Sequence, residues 1–218
     1  MRILGISSAT KIVSVGLVDE QKVLAELTAD LMQSENIILY LKEAGILPDQ
    51  IDGIAVTIGP GSYSGLRGGL TTAKTLAQTL NVPLAAVSTL EAIAYNLVNE
   101  DGEIAVVLDA RADEYNYALF VASKGAMKRI SADEVIKLDD LKAKLLSVNE
   151  PMRIAGKVVE FENVMNKNLH FADRSLCDPL GINVAKLGLI KIKAGQTEDV
   201  YQLSPKYSHK PNIREFNR

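Results

Sequence analysis

The order of strand-like and helix-like segments repeats itself along this chain of 218 residues. Residues 53–56 read Gly-Ile-Ala-Val, and residues 153–156, one hundred positions later, read Arg-Ile-Ala-Gly. Around each tetrapeptide the spacing of apolar residues predicts the order β-β-β-α-β-α. The repeat therefore predicts two similar α/β units, each with a mixed sheet flanked by helices.

Apolar runs and turn residues give the expected bounds of these elements. In the first half we predict strands at 2–7, 12–18, 23–28, 51–58 and 84–87, and helices at 33–44, 64–80 and 88–96. In the second half we predict strands at 104–109, 115–122, 127–131, 153–156 and 169–171, and helices at 139–146 and from about 179 to 195. The boundary falls near residues 100–102, which divides the chain into lobes 1–101 and 102–218. Two such lobes are the plan of the actin and sugar-kinase superfamily, which does not by itself indicate a function.

The composition narrows the class of protein. With 47% apolar and 23% charged residues the chain is typical of soluble globular proteins. No apolar run approaches the roughly 18 residues of a membrane helix, and the chain enters a strand without a signal-peptide pattern. We therefore expect a cytoplasmic protein that does not bind membranes. Cys177 is the only cysteine, which excludes an internal disulfide and predicts a half-buried thiol more readily than a catalytic one.

The charge is divided unevenly along the chain. The formal net charge is -3, but residues 201–218 carry +3, so the remainder carries -6. Direct binding of nucleic acid depends on clustered Lys and Arg, which the acidic remainder does not offer. The basic end is either a solvated terminus or a contact for an acidic partner or RNA.

The most distinctive segment runs from Gly59 to Arg67 and reads Gly-Pro-Gly-Ser-Tyr-Ser-Gly-Leu-Arg. It lies between a predicted buried strand and a predicted helix. Its three glycines allow positive φ and close approach of the backbone, and Pro60 stiffens the entry. Such a junction can hold a phosphate, but its spacing fits neither a Walker A nor a dinucleotide-binding motif. Arg67 either pairs with an anion or packs its stem on its own lobe.

This segment closely resembles the G-P-G-S-F-T-G-L-R signature of the TsaB (YeaZ) family, with Tyr63 for Phe and Ser64 for Thr. Residues 51–56 and 70–92 resemble the sequences that flank the signature in that family. In the second half, residues 109–111 resemble its D-A-R segment, and residues 205–207 its P-x-Y. The resemblance is strong over about residues 1–120 and thin after that. The signature loop is defined by Gly59, Pro60, Gly61, Ser62, Tyr63 and Gly65.

The resemblance implies an actin-like (ASKHA, ribonuclease H-like) two-lobe fold and a partner subunit without chemistry of its own. TsaB pairs with TsaD, which transfers threonylcarbamoyl to adenosine 37 of tRNAs that read ANN codons. The resemblance also implies that the ATPase TsaE joins this assembly. Contact with tRNA is expected only through the complex. Alone, the protein is expected to form a homodimer through the same helices.

In the family, the first two helices of the N-terminal lobe form the interface with TsaD. The corresponding residues here are about 33–44 and 64–80. The predicted partner-binding residues are Gln33, Ile37, Leu41, Ser64, Arg67, Gly68, Gly69 and Thr72. Three of these, Gly68, Gly69 and Thr72, are small enough to let another helix approach closely. The alternative is that this face packs against its own lobe.

The expected lack of catalysis follows from missing side chains. Actin-like proteins that hydrolyse ATP carry an Asp after the first strand, and Ser7 stands at that position. A serine does not supply the charge that a divalent cation prefers. Asp109 ends the corresponding strand of the second lobe, where it is either a turn residue or the single carboxylate of a weak metal site. Neither His170 nor His209 has a potential ligand three or four positions away in a predicted helix, so we predict no metal, no cofactor and no metallopeptidase site.

Other functions stay open at this point. One is a small ATP-binding phosphotransferase or ATPase of the same fold, with the signature loop on the phosphate. Another is an RNA-binding module that works through the basic end. A Ser-His-Asp triad is also open, since its order in sequence is free, although no nucleophile-elbow motif is present.

Overall fold

A computed structural model describes residues 1–29, 36–157, 161 and 163–209 of the chain. Two β-sheets and five α-helices lie within these residues. The first sheet contains β1 (Ile3–Ser7), β2 (Val13–Val18), β3 (Val23–Ala29), β4 (Gly53–Gly59) and β5 (Leu84–Ser88). The second contains β6 (Gly102–Asp109), β7 (Glu114–Ser123), β8 (Ala126–Arg129), β9 (Glu134–Lys137), β10 (Met152–Gly156) and β11 (Leu169–Phe171).

The two sheets have the same strand order. The first runs β3-β2-β1-β4-β5 and the second β8-β7-β6-β10-β11, with β9 paired to β7 beside this path. The first strand of each sheet pairs antiparallel with the next strand in sequence, β1 with β2 and β6 with β7. On its other side it pairs parallel with a later strand, β1 with β4 and β6 with β10. Gly53 pairs with Ile3, and Arg153 pairs with Ile104, so the two tetrapeptides occupy equivalent places. The internal repeat predicted from the sequence is therefore confirmed; strand β9 was not predicted.

The helices fall close to their expected positions. They are α1 (Ile37–Glu43), α2 (Tyr63–Leu80), α3 (Thr89–Ala94), α4 (Leu138–Leu146) and α5 (Gly181–Lys193). The first part of the predicted helix 33–44 lies outside the described residues. Asn81 ends α2 with a left-handed backbone at φ 54°, which suits asparagine. None of the described helices is long and apolar enough to cross a membrane.

Helices α1 and α2 cover one face of the first sheet. Leu70 and Ala73 of α2 belong to the same buried cluster as Ile6 of β1 and Ile54 of β4. Because the buried stripe of each helix faces this cluster, the opposite sides of α1 and α2 face away from the sheet. Helices α1 and α2 contact each other, and we call their outward sides together the outer face.

Helix α5 covers the other face of the first sheet. Glycine makes this packing possible, because a Cβ on Gly5 would lie 2.1 Å from Gly181 O. A Cβ on Gly16 would lie 2.6 Å from Ile182 N. The sequence boundary at residue 101 assigns α5 to the second lobe, but the helix packs against β1, β2 and β4.

Candidate partner-binding surface

The signature loop joins the end of β4 to the start of α2. Ser62 Oγ caps the helix by accepting a hydrogen bond from Gly65 N at 3.3 Å, and the peptide bond between Gly59 and Pro60 is cis. Gly59 and Gly61 have φ angles of 128° and 155°, which residues with a Cβ rarely adopt. The shape of the loop therefore depends on glycine at both positions.

One side of the signature loop is pressed against the turn that follows β1. A Cβ on Gly61 would lie 2.2 Å from Ala9 O, and a Cβ on Gly65 would lie 2.0 Å from Ser8 O. Ser8 Oγ donates a hydrogen bond to Gly65 O at 2.8 Å, and Ser62 N donates to Ala9 O at 2.8 Å. The space beside these glycines, where the sequence left a phosphate site open, is filled by backbone of this chain.

The other side of the loop is covered by residues 204–209, which we call the C-terminal segment. Lys206 N donates a hydrogen bond to Ile58 O at 2.7 Å. A Cβ on Gly59 would lie 2.0 Å from Lys206 O, so this contact also requires glycine. The loop is therefore held between two parts of the chain that are almost two hundred residues apart.

The C-terminal segment continues from the signature loop to the second sheet. Ser208 Oγ donates a hydrogen bond to Asn116 Oδ1 at 2.5 Å, and His209 Nε2 lies 2.9 Å from a Glu114 carboxylate oxygen. Asn116 in turn donates to Asp109 O at 3.0 Å. These contacts link the loop of the first sheet to β7 of the second.

A cluster of two tyrosines and one arginine lies where α2 begins. The rings of Tyr63 and Tyr207 stack with their centroids 4.9 Å apart. The guanidinium carbon of Arg67 lies 4.3 Å from the centroid of the Tyr63 ring, and Arg67 Nε donates a hydrogen bond to Tyr207 Oη at 3.1 Å. The hydrogen bond to Tyr207 raises the pKa of Arg67 above its ordinary value. We call these three residues the Tyr-Arg-Tyr cluster.

Comparison with known proteins agrees with the geometry. The family model described as "TsaD: tRNA N6-adenosine threonylcarbamoyltransferase" matches residues 31–215. The tRNA threonylcarbamoyladenosine biosynthesis protein TsaB of Bacillus subtilis (strain 168) is 29% identical, over 95% of this chain and 93% of that protein. The chain belongs to the TsaD family, in its TsaB (YeaZ) branch.

Two further relatives show the reach of this likeness. The structure of YeaZ from Pseudomonas aeruginosa superposes with a TM-score of 0.77 at 23% identity, over 94% of this chain and 99% of that one. It confirms the actin-like α/β fold class. A tRNA N6-adenosine threonylcarbamoyltransferase of Desulforapulum autotrophicum is 48% identical over 59 residues, 27% of this chain and 18% of that enzyme.

Within the TsaB branch, the predicted partner-binding residues divide by exposure. Ser64 and Arg67 are exposed, while Gly68 and Thr72 are partly buried. Ile37 and Leu41, however, are buried in the core of the first sheet with exposed fractions of 0% and 6%. Their placement on the partner surface was wrong, because the stripe at i and i+4 is the side of α1 that packs on its own sheet. Gln33 lies outside the described residues.

Gly69 also faces inward. A Cβ at this position would lie 2.1 Å from Ser8 Oγ, so the glycine serves the contact between α2 and the turn after β1. Its placement on the partner surface was wrong, because this side of α2 packs against its own chain. An arginine at position 69 would be forced into the core of this chain and could not report on binding of another subunit.

The exposed residues of the outer face are neighbours of the predicted ones. On α1, Ile38 and Leu39 are 52% and 55% exposed, and on α2 the exposed positions include Thr71 and Thr75. The helical period locates them, because Thr71 follows Ser64 by seven residues and Arg67 by four, and Thr75 follows Thr71 by four. Tyr207, which completes the Tyr-Arg-Tyr cluster, was noted only as part of the P-x-Y resemblance.

The candidate catalytic residues are not brought together. Ser7 is fully buried, and its Oγ has no hydrogen-bond partner among the described residues. Asp109 lies in the second sheet, where its carboxylate pairs with Lys157 Nζ at 2.8 Å. His170 is exposed on β11. The described parts of the chain contain no group of three His, Cys, Asp or Glu side chains placed to hold a metal ion.

Cys177 occupies the core of the second sheet. It is 8% exposed, and its Sγ lies 3.4 Å from Asp173 O. Burial raises the pKa of the thiol, which lowers the share of reactive thiolate at neutral pH. The environment is that of a packed side chain, as predicted for this cysteine.

Proposed function

We propose that this chain is a non-catalytic partner subunit of a TsaD-type transferase, acting in the synthesis of threonylcarbamoyladenosine in tRNA. Its family and the name of the Bacillus subtilis relative support this role. The chain binds the TsaD-type subunit directly, a TsaE-type ATPase joins the pair, and tRNA is met only through the complex. The transfer to adenosine 37 of ANN-reading tRNAs belongs to the partner. The cytoplasmic location, the homodimer of the isolated chain and the two-lobe division are parts of the same proposal.

The observation that carries the proposal is the outer face of α1 and α2. Ile38 and Leu39 are large apolar side chains left more than half exposed on a helix of seven residues. Beside them, α2 presents the small side chains of Thr71 and Thr75, which allow a second helix to approach closely. Adjacent exposed apolar side chains of this kind are characteristic of protein interfaces.

The packing of the signature loop supports a role without catalysis. In this chain the glycines accommodate the backbone of Ser8 and Ala9, and that backbone stands where a phosphate would have to approach. Ser7, at the end of β1, offers a buried hydroxyl in place of an exposed carboxylate. The loop therefore acts as the structural support that sets α2, and with it the outer face, on the first sheet.

Replacement of Ile38 by Asp tests the interface. The change removes apolar contact area and places a charge in the interface, so affinity for the TsaD-type protein of the same organism should fall about tenfold or more. Ile190→Asp is the matched control, because Ile190 is 56% exposed on α5 at the opposite face of the sheet. Calorimetry measures the affinity, and circular dichroism checks that both variants keep the fold.

A reconstituted tRNA-modification assay tests the function itself. With the TsaD-type and TsaE-type proteins present, modification should depend on this chain and should fall with Ile38→Asp. The proposal fails if modification proceeds equally well without the chain. Steady ATP hydrolysis by the isolated chain would favour the alternative of a small ATPase of the same fold.

A further inference from the structure

We propose that the partner-binding surface extends beyond the two helices onto the C-terminal segment, and that Arg67, held between Tyr63 and Tyr207, binds a carboxylate of the partner protein. This inference rests on the proposed function and specifies which chemical group of the partner protein Arg67 recognises. The Tyr-Arg-Tyr cluster joins the first turn of α2 to a residue 140 positions later in the chain. The surface is thus assembled by folding and is not a property of the helices alone.

The geometry holds the guanidinium in one place. Arg67 lies against the Tyr63 ring, and the Tyr207 ring stacks on the same tyrosine. The Tyr207 hydroxyl accepts a hydrogen bond from Arg67 Nε. The backbone of Tyr207 is fixed in turn, because neighbouring Lys206 and Ser208 are hydrogen-bonded to the first and second sheets. An arginine held in this way loses little conformational entropy when it binds an anion.

The positive charge of Arg67 has no counter-ion within the part of the chain that the structure describes. Its hydrogen bond uses Nε, and no described acceptor binds its two terminal nitrogens. Helix α2 contains no acidic residue, and its other cation, Lys74, donates to the carbonyl oxygens of Tyr201 and Leu203. The terminal nitrogens of Arg67 therefore present a fork of donors, which matches the two oxygens of a carboxylate.

A protein carboxylate fits this surface better than a nucleic-acid phosphate. Affinity for a phosphate backbone comes from several Lys and Arg side chains together. The described Lys and Arg residues of α2 and the C-terminal segment are Arg67, Lys74 and Lys206, and Lys74 is already hydrogen-bonded to two carbonyl oxygens. Thr71, one helical turn after Arg67, is neutral, and the exposed Ile38 on α1 is apolar. A single arginine flanked by tyrosines at the edge of an apolar surface is the composition of an interface hot spot.

Tyr207 is in this view a positioning residue. Its hydroxyl orients Arg67 and its ring supports Tyr63, so it contributes to binding even where it does not touch the partner. Tyr207→Phe removes the hydroxyl and keeps the ring, which isolates the first of these roles. Tyr201→Phe is the matched control, since Tyr201 is 79% exposed and contributes only its backbone oxygen to Lys74.

The test measures affinity for the TsaD-type protein by calorimetry at low and high salt. Arg67→Gln should weaken binding about tenfold and flatten its salt dependence, because it removes a charge-assisted contact. Tyr207→Phe should weaken binding about threefold, in line with the loss of one orienting hydrogen bond. Arg67→Lys should fall between wild type and Arg67→Gln, because it keeps the charge and loses the fork. Arg174→Gln, a change at an exposed arginine of the second lobe, and Tyr201→Phe should bind as wild type does.

The outcomes separate this inference from the proposed function. If Ile38→Asp weakens binding while Arg67→Gln and Tyr207→Phe bind with wild-type affinity and salt dependence, the inference is overturned and the interface on the helices stands. If the wild-type chain does not bind a TsaD-type protein, both are overturned. If the isolated chain binds tRNA and Arg67→Gln abolishes it, the ligand of Arg67 is a phosphate and the inference is wrong.

Discussion

The turns that follow the first strand of each sheet occupy equivalent places and have opposite characters. Ser7 at the end of β1 and Ser8 after it are 0% and 1% exposed beneath the signature loop and α2. At the end of β6, the Asp109 side chain is 59% exposed and pairs with Lys157 at the surface. The two sheets share one topology, so the difference comes from what covers each turn. Two sheets with the same strand topology can therefore have different environments at equivalent positions.

The covering elements explain the residue types at each turn. In the first sheet, β4 leads through the signature loop into an α2 of 18 residues, which lies over the turn. In the second sheet, the described residues between β10 and β11 include no such long helix. A covered turn accepts only small, uncharged side chains, because burial of an unpaired charge is costly. An open turn tolerates Asp109.

Ser7→Asp should have the largest effect, because it brings the charge of the second turn into the first. We expect a loss of about 4 kcal/mol in the free energy of unfolding, as for an unpaired charge left in a protein interior. Burial would raise the pKa of the new carboxyl in the folded state above about 3.9, its value in the unfolded chain. The loss should therefore be small at low pH and grow as the pH rises toward the raised pKa.

Urea unfolding of Ser7→Asp and wild type at pH 5 and pH 8 measures this difference. The gap in stability between the two proteins should be wider at pH 8. An equal and small loss at both pH values would show that the first turn is open to water, and the contrast between the turns would be lost.

Gly65→Ala should come next, because it tests whether the turn after β1 is tightly covered. The added methyl group would meet Ser8 O, and backbone cannot move aside as a flexible side chain can. We expect a loss of about 3 kcal/mol by overpacking. Gly45→Ala is the control: Gly45 has a φ of 70° but nothing within 4 Å of the added Cβ, so only about 1 kcal/mol of backbone strain is expected. Equal losses in the two variants would mean that the contact with Ser8 is loose.

Much of the architecture could be predicted from the sequence because apolar spacing records burial directly. The runs around Ile54 and Ile104 are central strands, and the stripe of Leu70 and Ala73 faces the core, as expected. The same periodicity already places Gly69 on the inner side of α2, since it lies four residues before Ala73. Its assignment to the partner surface followed the small size of the residue and ignored its angular position on the helix.

The contacts of the C-terminal segment could not be predicted in the same way. Tyr207 and Ser208 belong to no helix or strand, so no periodicity shows which part of the chain they meet. Their partners Arg67 and Asn116 are 140 and 92 residues away. Long-range contacts of irregular chain depend on the finished fold. The positive charge of residues 201–218 and the P-x-Y resemblance indicated that this end of the chain matters, but neither indicated what it contacts.

Ser8→Ala should have a smaller effect than either change above. It removes the hydrogen bond from Ser8 Oγ to Gly65 O, which is buried and 2.8 Å long. We expect a loss of about 1 kcal/mol, the usual net contribution of such a bond. Urea unfolding measures it. The double variant Gly65→Ala/Ser8→Ala should lose close to the sum of the two single losses in the free energy of unfolding, because the methyl group added at position 65 clashes with the Ser8 backbone and not with its hydroxyl. A double variant much more stable than this sum would contradict the prediction.

Asp109→Ser completes the exchange between the two turns and should have the smallest effect. The change places a serine where the first sheet has Ser7, and it removes the ion pair between Asp109 and Lys157. Both side chains are more than a third exposed, and exposed ion pairs contribute about 0.5 kcal/mol or less. Urea unfolding at low and high salt should show a small loss that shrinks as salt is added, because salt screens the pair in the wild type. A loss as large as that of Ser7→Asp would mean that the second turn is covered as tightly as the first. The difference between the two sheets would then lie in the residue types at the turns and not in the elements that cover them.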